Sequence, residues 1–397
     1  MNSFILSFFD ELNKKEVSYC HFKSNNNLIP AVNGVDDLDL LIGSEAVDTF
    51  NEVASKFGFR IANDRGKEST PYVYHYFAAD LETGLLVHLH VYFKIITGGS
   101  ILKNHWIRVE KMFLSNRHLD EKTNVYLPVP EADCILFVIR KLIEQPSPVE
   151  SFLFFRDHKN IMAELEWLLE RVDRSYMLEM LEKWVPELSK KLFQDSLNAL
   201  SNREKLLRRV KLGIKMRKCF DYKVRGALVA EVIRSWQFLI AFIKGKLKIK
   251  RKNRFLLPGG LLISFVGSEA SGKSTLSRDI ADWLEERFDV AHIHLGKPPK
   301  NWRTKPFWFF ISIYVKLKSI LAQKNSKNAN ESSLNLPHPI VCWLDSIDRR
   351  EHMNKHFGML MQGCTIITDR YPSAFMDGPR IKGDTPLKSL LANFEKK

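Results

Sequence analysis

The stretch LLISFVGSEASGKSTLSRDIADWLEERF, Leu261 to Phe288, decides how the last third of this chain is read. An apolar, β-branched run suited to a buried strand is followed by a turn rich in small residues. Apolar positions then recur at helical spacing from Lys273 onward. The turn, Gly267-Ser268-Glu269-Ala270-Ser271-Gly272-Lys273-Ser274, has the G-x-x-x-x-G-K-[ST] spacing of a phosphate loop, in the strand-to-helix setting which that motif requires. Gly267 and Gly272 permit backbone torsions closed to other residues, so successive N–H groups can turn inward toward phosphate oxygens. The start of the helix adds the positive end of its dipole. Lys273 is expected to reach the β- and γ-phosphates of ATP. Ser274, followed by Thr275, is expected to present its hydroxyl to Mg²⁺.

Further along, Gly363-Cys364-Thr365-Ile366-Ile367-Thr368-Asp369-Arg370-Tyr371 reads as a short buried strand ending in a carboxylate. In a parallel sheet that position lies beside the phosphate loop, where Asp369 can support Mg²⁺ or take a proton. Arg370 has the planar fork suited to clamping a phosphate. With Lys273, these two are the expected catalytic residues.

The run LDSIDRREHMNKHFGMLMQGCTIITDRYPS, Leu344 to Ser373, resembles the thymidylate kinase family, in which a helix bearing Asp-Arg precedes a strand ending in Asp-Arg-Tyr. The matching residues are Asp348-Arg349, His352, Gly363 and Asp369-Arg370-Tyr371, with Ser373 one place early. Glu269 matches the carboxylate that such kinases carry in the loop. The resemblance implies a P-loop NTPase fold with a doubly wound parallel sheet, ATP on residues 267–275, and Arg349 and Arg370 facing a phosphorylated acceptor. Asp345 stands where those kinases place a Phe against the thymine ring. VAHIHLGKPP lacks their Arg-Glu-Pro-Gly turn. The expected acceptor is therefore a polar nucleotide or sugar phosphate beside Asp345, Arg349 and Arg370. Only 26 residues follow Tyr371, so the lid and last strands of such a kinase are expected to be missing.

The N-terminal part has another texture. Short runs rich in β-branched and aromatic residues (VSYCHF, DLDLLI, PYVYHYF, LLVHLHVYF) alternate with helical stretches, an α/β pattern. Asp37 and Asp39, two apart on one strand, present both carboxylates to one face and are candidate metal ligands. Lys23-Ser24, the D-h-D pair and the strand carrying His88 and His90 resemble uncharacterised nucleotidyltransferase-like domains. That resemblance implies a metal site at Asp37 and Asp39, with the histidines where a third carboxylate is usual.

Between these ends, ADCILFVIRKLIEQ, KNIMAELEWLLERV and SYMLEMLEKWVPELSKKL space apolar residues at three and four. The expected organisation is a nucleotidyltransferase-like α/β domain over 1–130, a helical, basic linker domain over 131–257, and a kinase-like domain over 258–397. Charge is uneven: 15 basic and 20 acidic side chains over 1–150, 25 and 12 over 151–258, 20 and 14 over 259–397. Residues 203–254 alone carry 18 Lys and Arg against Glu204, Asp221 and Glu231. The run RSWQFLIAFIKGKLKIKRKNRF within them suits an anionic membrane or glycolipid surface better than nucleic acid, since no nucleic-acid motif accompanies it. PFWFFISIYVKL, from Pro306, reads as a core helix in preference to an apolar acceptor or membrane site. Cys20, Cys134, Cys219, Cys342 and Cys364 lack CxxC spacing, which argues against a zinc site and for thiols in a reducing compartment.

These readings point to a cytoplasmic chain, peripheral at the inner face of a membrane, with homodimers allowed. It would transfer phosphate from ATP and Mg²⁺ to a nucleotide or sugar phosphate, in polysaccharide or nucleotide-sugar metabolism. The alternative is a catalytically degenerate, ATP-binding regulatory or defence module.

Overall fold

The computed structural model describes residues 1–64, 70–98, 103–201, 205–220, 254–267, 270–294, 299–325 and 338–369, with Val232 and Trp236; for 318–325, 338–340 and 342 it describes the backbone alone. Ser268, Glu269, Arg370 and most of the basic run 203–254 therefore lie outside the described residues. The chain is a mixed α/β protein of two compact units, Met1–Arg251 and Lys252–Lys397. Among the described residues no helix is long and apolar enough to cross a membrane.

The first unit opens with α1 (Ser3–Lys14), started by Asn2, whose side chain accepts a hydrogen bond from the Ile5 N–H at 3.0 Å. Its buried residues Ile5, Phe8, Phe9 and Leu12 follow the three-and-four spacing of one helix face. Then come β1 (Tyr19–His21), α2 (Leu28–Val32), β2 (Leu38–Ile42), α3 (Val47–Lys56), β3 (Arg60–Asp64), β4 (Val73–Ala79) and β5 (Leu86–Tyr92). Within this unit the strand order runs β1-β2-β5-β4-β3, with β2 and β5 parallel and the other pairs antiparallel. Strand alternation separates two cores. Leu38, Leu40 and Ile42 of β2 and Val87, Leu89 and Val91 of β5 join α1 and α3. Leu41 and Tyr92 turn to the opposite face.

Two hairpins, β6 (Ile96–Gly98) with β7 (Lys103–Trp106) and β8 (Arg117–Asp120) with β9 (Val125–Pro128), come before and after α4 (Glu110–Ser115) in the chain; Ile96, Met112 and Phe113 join that opposite core, whereas Val125 joins the first. The helices α5 (Pro130–Glu144), α6 (Pro148–Arg156), α7 (His158–Leu169), α8 (Arg174–Trp184), α9 (Lys190–Ser201) and α10 (Leu206–Cys219) follow. They do not form a separate body: Cys20, Phe22, Leu41 and Tyr92 of the sheet side share one core with α5 to α10. The boundary expected near residue 130 therefore divides no compact units, because one hydrophobic core runs across it.

The second unit contains β10 (Arg254–Leu256), β11 (Leu262–Ser264), α11 (Lys273–Glu285), β12 (Val290–Ile293), α12 (Lys305–Asn325), α13 (His338–Met361) and β13 (Thr365–Thr368). β11, β13 and β12 are parallel in that order, with Ser264 and Ile293 both opposite Thr368. The helix read from PFWFFISIYVKL is present as α12 but is not a core helix: Phe307, Tyr314 and Leu317 are exposed, and Phe309 and Phe310 are 62% and 68% exposed. Helical spacing reports a helix, whereas burial depends on a partner surface that spacing does not encode. Cys20 and Cys134 are buried in the first unit and Cys364 in the second.

α10 approaches α5 at Gly213, where an added Cβ would meet the Leu142 carbonyl oxygen at 2.4 Å and Pro146 Cδ at 2.7 Å. Because one obstacle is backbone, Gly213→Ala should destabilise the first unit by about 1–3 kcal/mol, read as a lower midpoint in urea.

Candidate functional site

Three elements of the second unit converge past the sheet's C-terminal edge. The Phe265 N–H donates to the Thr368 carbonyl at 2.8 Å, so pairing continues to the point where the loop leaves the sheet. The loop ends at Gly272, which caps α11 at φ +80°, a left-handed conformation that glycine adopts without strain. Lys273 begins α11 and folds back, its Nζ donating to the Gly267 carbonyl at 2.9 Å and the Ser271 Oγ at 3.3 Å. Ser274 donates through Oγ to Asp369 Oδ2 at 3.3 Å. Asp369 follows β13 immediately, is 4% exposed, and its Oδ1 is buried with no hydrogen-bond partner among the described residues.

His294 is the residue that sequence reasoning missed. It follows β12, and its Nδ1 lies 2.6 Å from Asp369 Oδ2. The signal was the alternation in VAHIHLGK: two residues apart on one strand, His292 and His294 share a face. His292 Nε2 lies 3.0 Å from Ser277 Oγ on α11.

Of the expected acceptor residues, Asp345 and Arg349 sit on α13, and Arg370 lies outside the described residues. Asp345 and Arg349 are one turn apart, the first half-buried and the second buried. Asp348 between them is fully engaged. It accepts from the Asn301 N–H and from Trp308 Nε1, each at 2.9 Å, and from Thr304 Oγ1, which fastens the start of α12 to α13.

In the first unit, the register of β2 against β5 sets Asp39 opposite His90. Asp39 Oδ1 lies 2.7 Å from Lys23 Nζ and 3.0 Å from His90 Nδ1, and Asp37 Oδ1 lies 2.7 Å from His88 Nδ1. His75 on β4 extends the row, its Nδ1 2.9 Å from His88 Nε2. Burial opposes a charge on Asp39, yet Lys23 and His90 hold its carboxyl far below the ordinary carboxylate range. Burial in turn pushes the His90 imidazole down to about 3, so it is neutral at pH 7. Asp39 thus answers a lysine. Among the described residues no group of three or more His, Cys, Asp or Glu is arranged to hold a metal ion.

The turn carrying Lys23 is tied to α5. Ser24 is left-handed at φ +56°, Asn25 Nδ2 donates to Asp133 Oδ2 at 2.7 Å, and Asn25 Oδ1 lies 2.6 Å from His21 Nδ1. Burial raises the Asp133 carboxyl to about 7.

No family model matches the chain, and no solved structure matches it. An Escherichia coli (strain K12) protein described as the uncharacterised ATP-binding protein YghS is 27% identical over 141 residues. Those residues are 33% of this chain and 56% of that protein, so the match spans about half the relative's length.

Because the folded state holds Asp133's proton up to about pH 7 and the unfolded chain releases it near 3.8, this carboxyl costs stability as pH rises through that window. Asp133→Asn keeps a partner for Asn25 and removes the titration. Its urea midpoint relative to the parent should therefore rise between pH 5 and pH 8; a constant difference would contradict a raised carboxyl.

Proposed function

We propose that the second unit binds ATP with Mg²⁺ on residues 267–275 and transfers the γ-phosphoryl group to a polar nucleotide or sugar-phosphate acceptor. The observation that carries this reading is the convergence of Lys273, Ser274 and Asp369 at the ends of parallel strands, with one buried carboxylate oxygen lacking a hydrogen-bond partner among the described residues. A buried carboxylate oxygen costs free energy unless something answers it, and a hard cation takes oxygen ligands of this kind. Ser274 Oγ and Asp369 fit Mg²⁺, which when bound neutralises charge on the phosphate oxygens. The similarity to a protein described as ATP-binding points the same way.

The chain's own residues then divide the work. Lys273, which donates to the Gly267 carbonyl and to Ser271 Oγ, exchanges these contacts for β- and γ-phosphate oxygens. The acceptor oxygen attacks the γ-phosphorus, the bond to the β-phosphate bridging oxygen breaks, and ADP leaves. Asp369 lies beside the reacting group, and His294 fixes its orientation and can relay the acceptor's proton. Asp345 accepts hydrogen bonds from acceptor hydroxyls, and Arg349 and Arg370 pair with its phosphate. A polar acceptor of this kind suits polysaccharide or nucleotide-sugar metabolism at the inner face of a membrane, where the basic run 203–254 would meet anionic lipid.

Calorimetric titration of Mg·ATP should show Lys273→Ala weakening binding at least tenfold, about 1.4 kcal/mol; equal affinities would refute the nucleotide site. For the acceptor, ADP release should be faster on at least one sugar phosphate of a panel than on thymidine monophosphate. Turnover of thymidine monophosphate alone would return Asp345 to a bystander.

A further inference from the structure

We infer that the cavity between the sheet and α5–α7 of the first unit is a binding site for a small phosphate-bearing molecule, held directly by lysine and arginine without a metal ion. The cavity has a volume of about 390 Å³, and its wall includes Lys23, Tyr92, Lys103, Arg140, Phe154 and Ile161. That volume exceeds a bare phosphate and lies within the range of small-ligand pockets.

Two lysines from different elements reach one phenol oxygen. Lys23 Nζ donates to Tyr92 Oη at 2.9 Å, and Lys103 Nζ donates to the same oxygen. Their ammonium groups also lie 4.7 and 4.5 Å from the Tyr92 ring centre, which gathers positive charge around one aromatic face. Asp39 answers Lys23. Neither Lys103 nor Arg140 has a carboxylate within ion-pair distance among the described residues.

Two acids on the wall pair with other basic groups of the same wall. Glu144 lies 3.8 Å from Lys141, and Asp157 pairs with Arg156 at 3.0 Å. Glu150, buried, has an interaction of its own. Lys103 and Arg140 therefore remain as basic groups on the wall with no direct carboxylate partner among the described residues. Burial, with the charges of Lys23 and Arg140, pushes the Lys103 amine well below its ordinary value, and a bound anion would favour its charged form again. Phosphate oxygens supply that negative charge, and the Arg140 guanidinium can take two of them at once. Phe22, Ile96 and Phe154 give the remainder of the ligand an apolar wall.

The test uses the full chain carrying Lys273→Ala, so that the phosphate loop of the second unit does not compete for the probe. Pyrophosphate and ribose 5-phosphate are titrated by calorimetry in the presence of EDTA. Binding of either is expected; adding Lys103→Met, which keeps the apolar stem, or Arg140→Gln should weaken it at least tenfold. The two probes distinguish a diphosphate from a phosphomonoester. Because Arg140 is half-buried at the wall, its variant decides the matter if Lys103→Met lowers the urea midpoint. Silence from both probes, or equal affinity in parent and Arg140→Gln, would overturn the site. Unchanged Mg·ATP affinity in Lys273→Ala alone would refute the second unit's nucleotide loop and leave this inference standing.

Discussion

Helix α5 is the element on which the first unit depends. Residues 131–139 are buried without interruption, and the apolar run 134–139 within them covers every side of the helix, which cannot exist at a surface. The sheet's second face closes over one flank and α7 to α10 over the others, which is why helices and strands share a single core. The same burial has a cost at the helix's first turn, where Asp133 lies among apolar neighbours and is satisfied by Asn25. That contact fixes the turn bearing Lys23, while Arg140 and Lys141 emerge at the far end of the same helix. One packing requirement thus sets both walls of the cationic cavity.

The two units use a common geometric device. In each, a carboxylate on one strand meets a histidine on the parallel neighbour: Asp39 with His90 in the first, Asp369 with His294 in the second. Parallel register makes such pairs simple to place, because residues at the ends of adjacent strands point the same way. What differs is the third partner. Lys23 neutralises Asp39, whereas Asp369 has Ser274 and His294 beside it and no lysine or arginine within ion-pair distance among the described residues. A carboxylate already matched by an ammonium has little left to offer a cation.

Much of the local structure was legible in the sequence. The runs DLDLLI, PYVYHYF and LLVHLHVYF are strands, ADCILFVIRKLIEQ is within a helix, and the strand and helix on either side of residues 265–272 lie where the apolar pattern put them. What the pattern did not contain is long-range. His294 acquires meaning only once β12 lies beside β13, 75 positions away in the pairing with Asp369. Lys103 and Arg140 lie in unremarkable local contexts and meet only because a hairpin and a helix fold over the same tyrosine. The exposure of α12 and the fusion of the helical region with the first sheet are likewise properties of surfaces in contact. Periodicity within a segment carries no record of them.

The distribution of thiols gives each unit its own clock. Cys20 and Cys134 are wholly inaccessible within the first core, and Cys364 is 1% exposed where it precedes β13. Burial raises the Cys20 and Cys134 thiols further from their reactive thiolates, so a disulfide reagent must wait for the surrounding structure to open. The rate at which each label appears in a peptide digest then measures the opening of one compact unit independently of the other. Hinge-like breathing confined to loops would leave all three unlabelled, and a chain whose units open separately would show two exchange regimes in one sample.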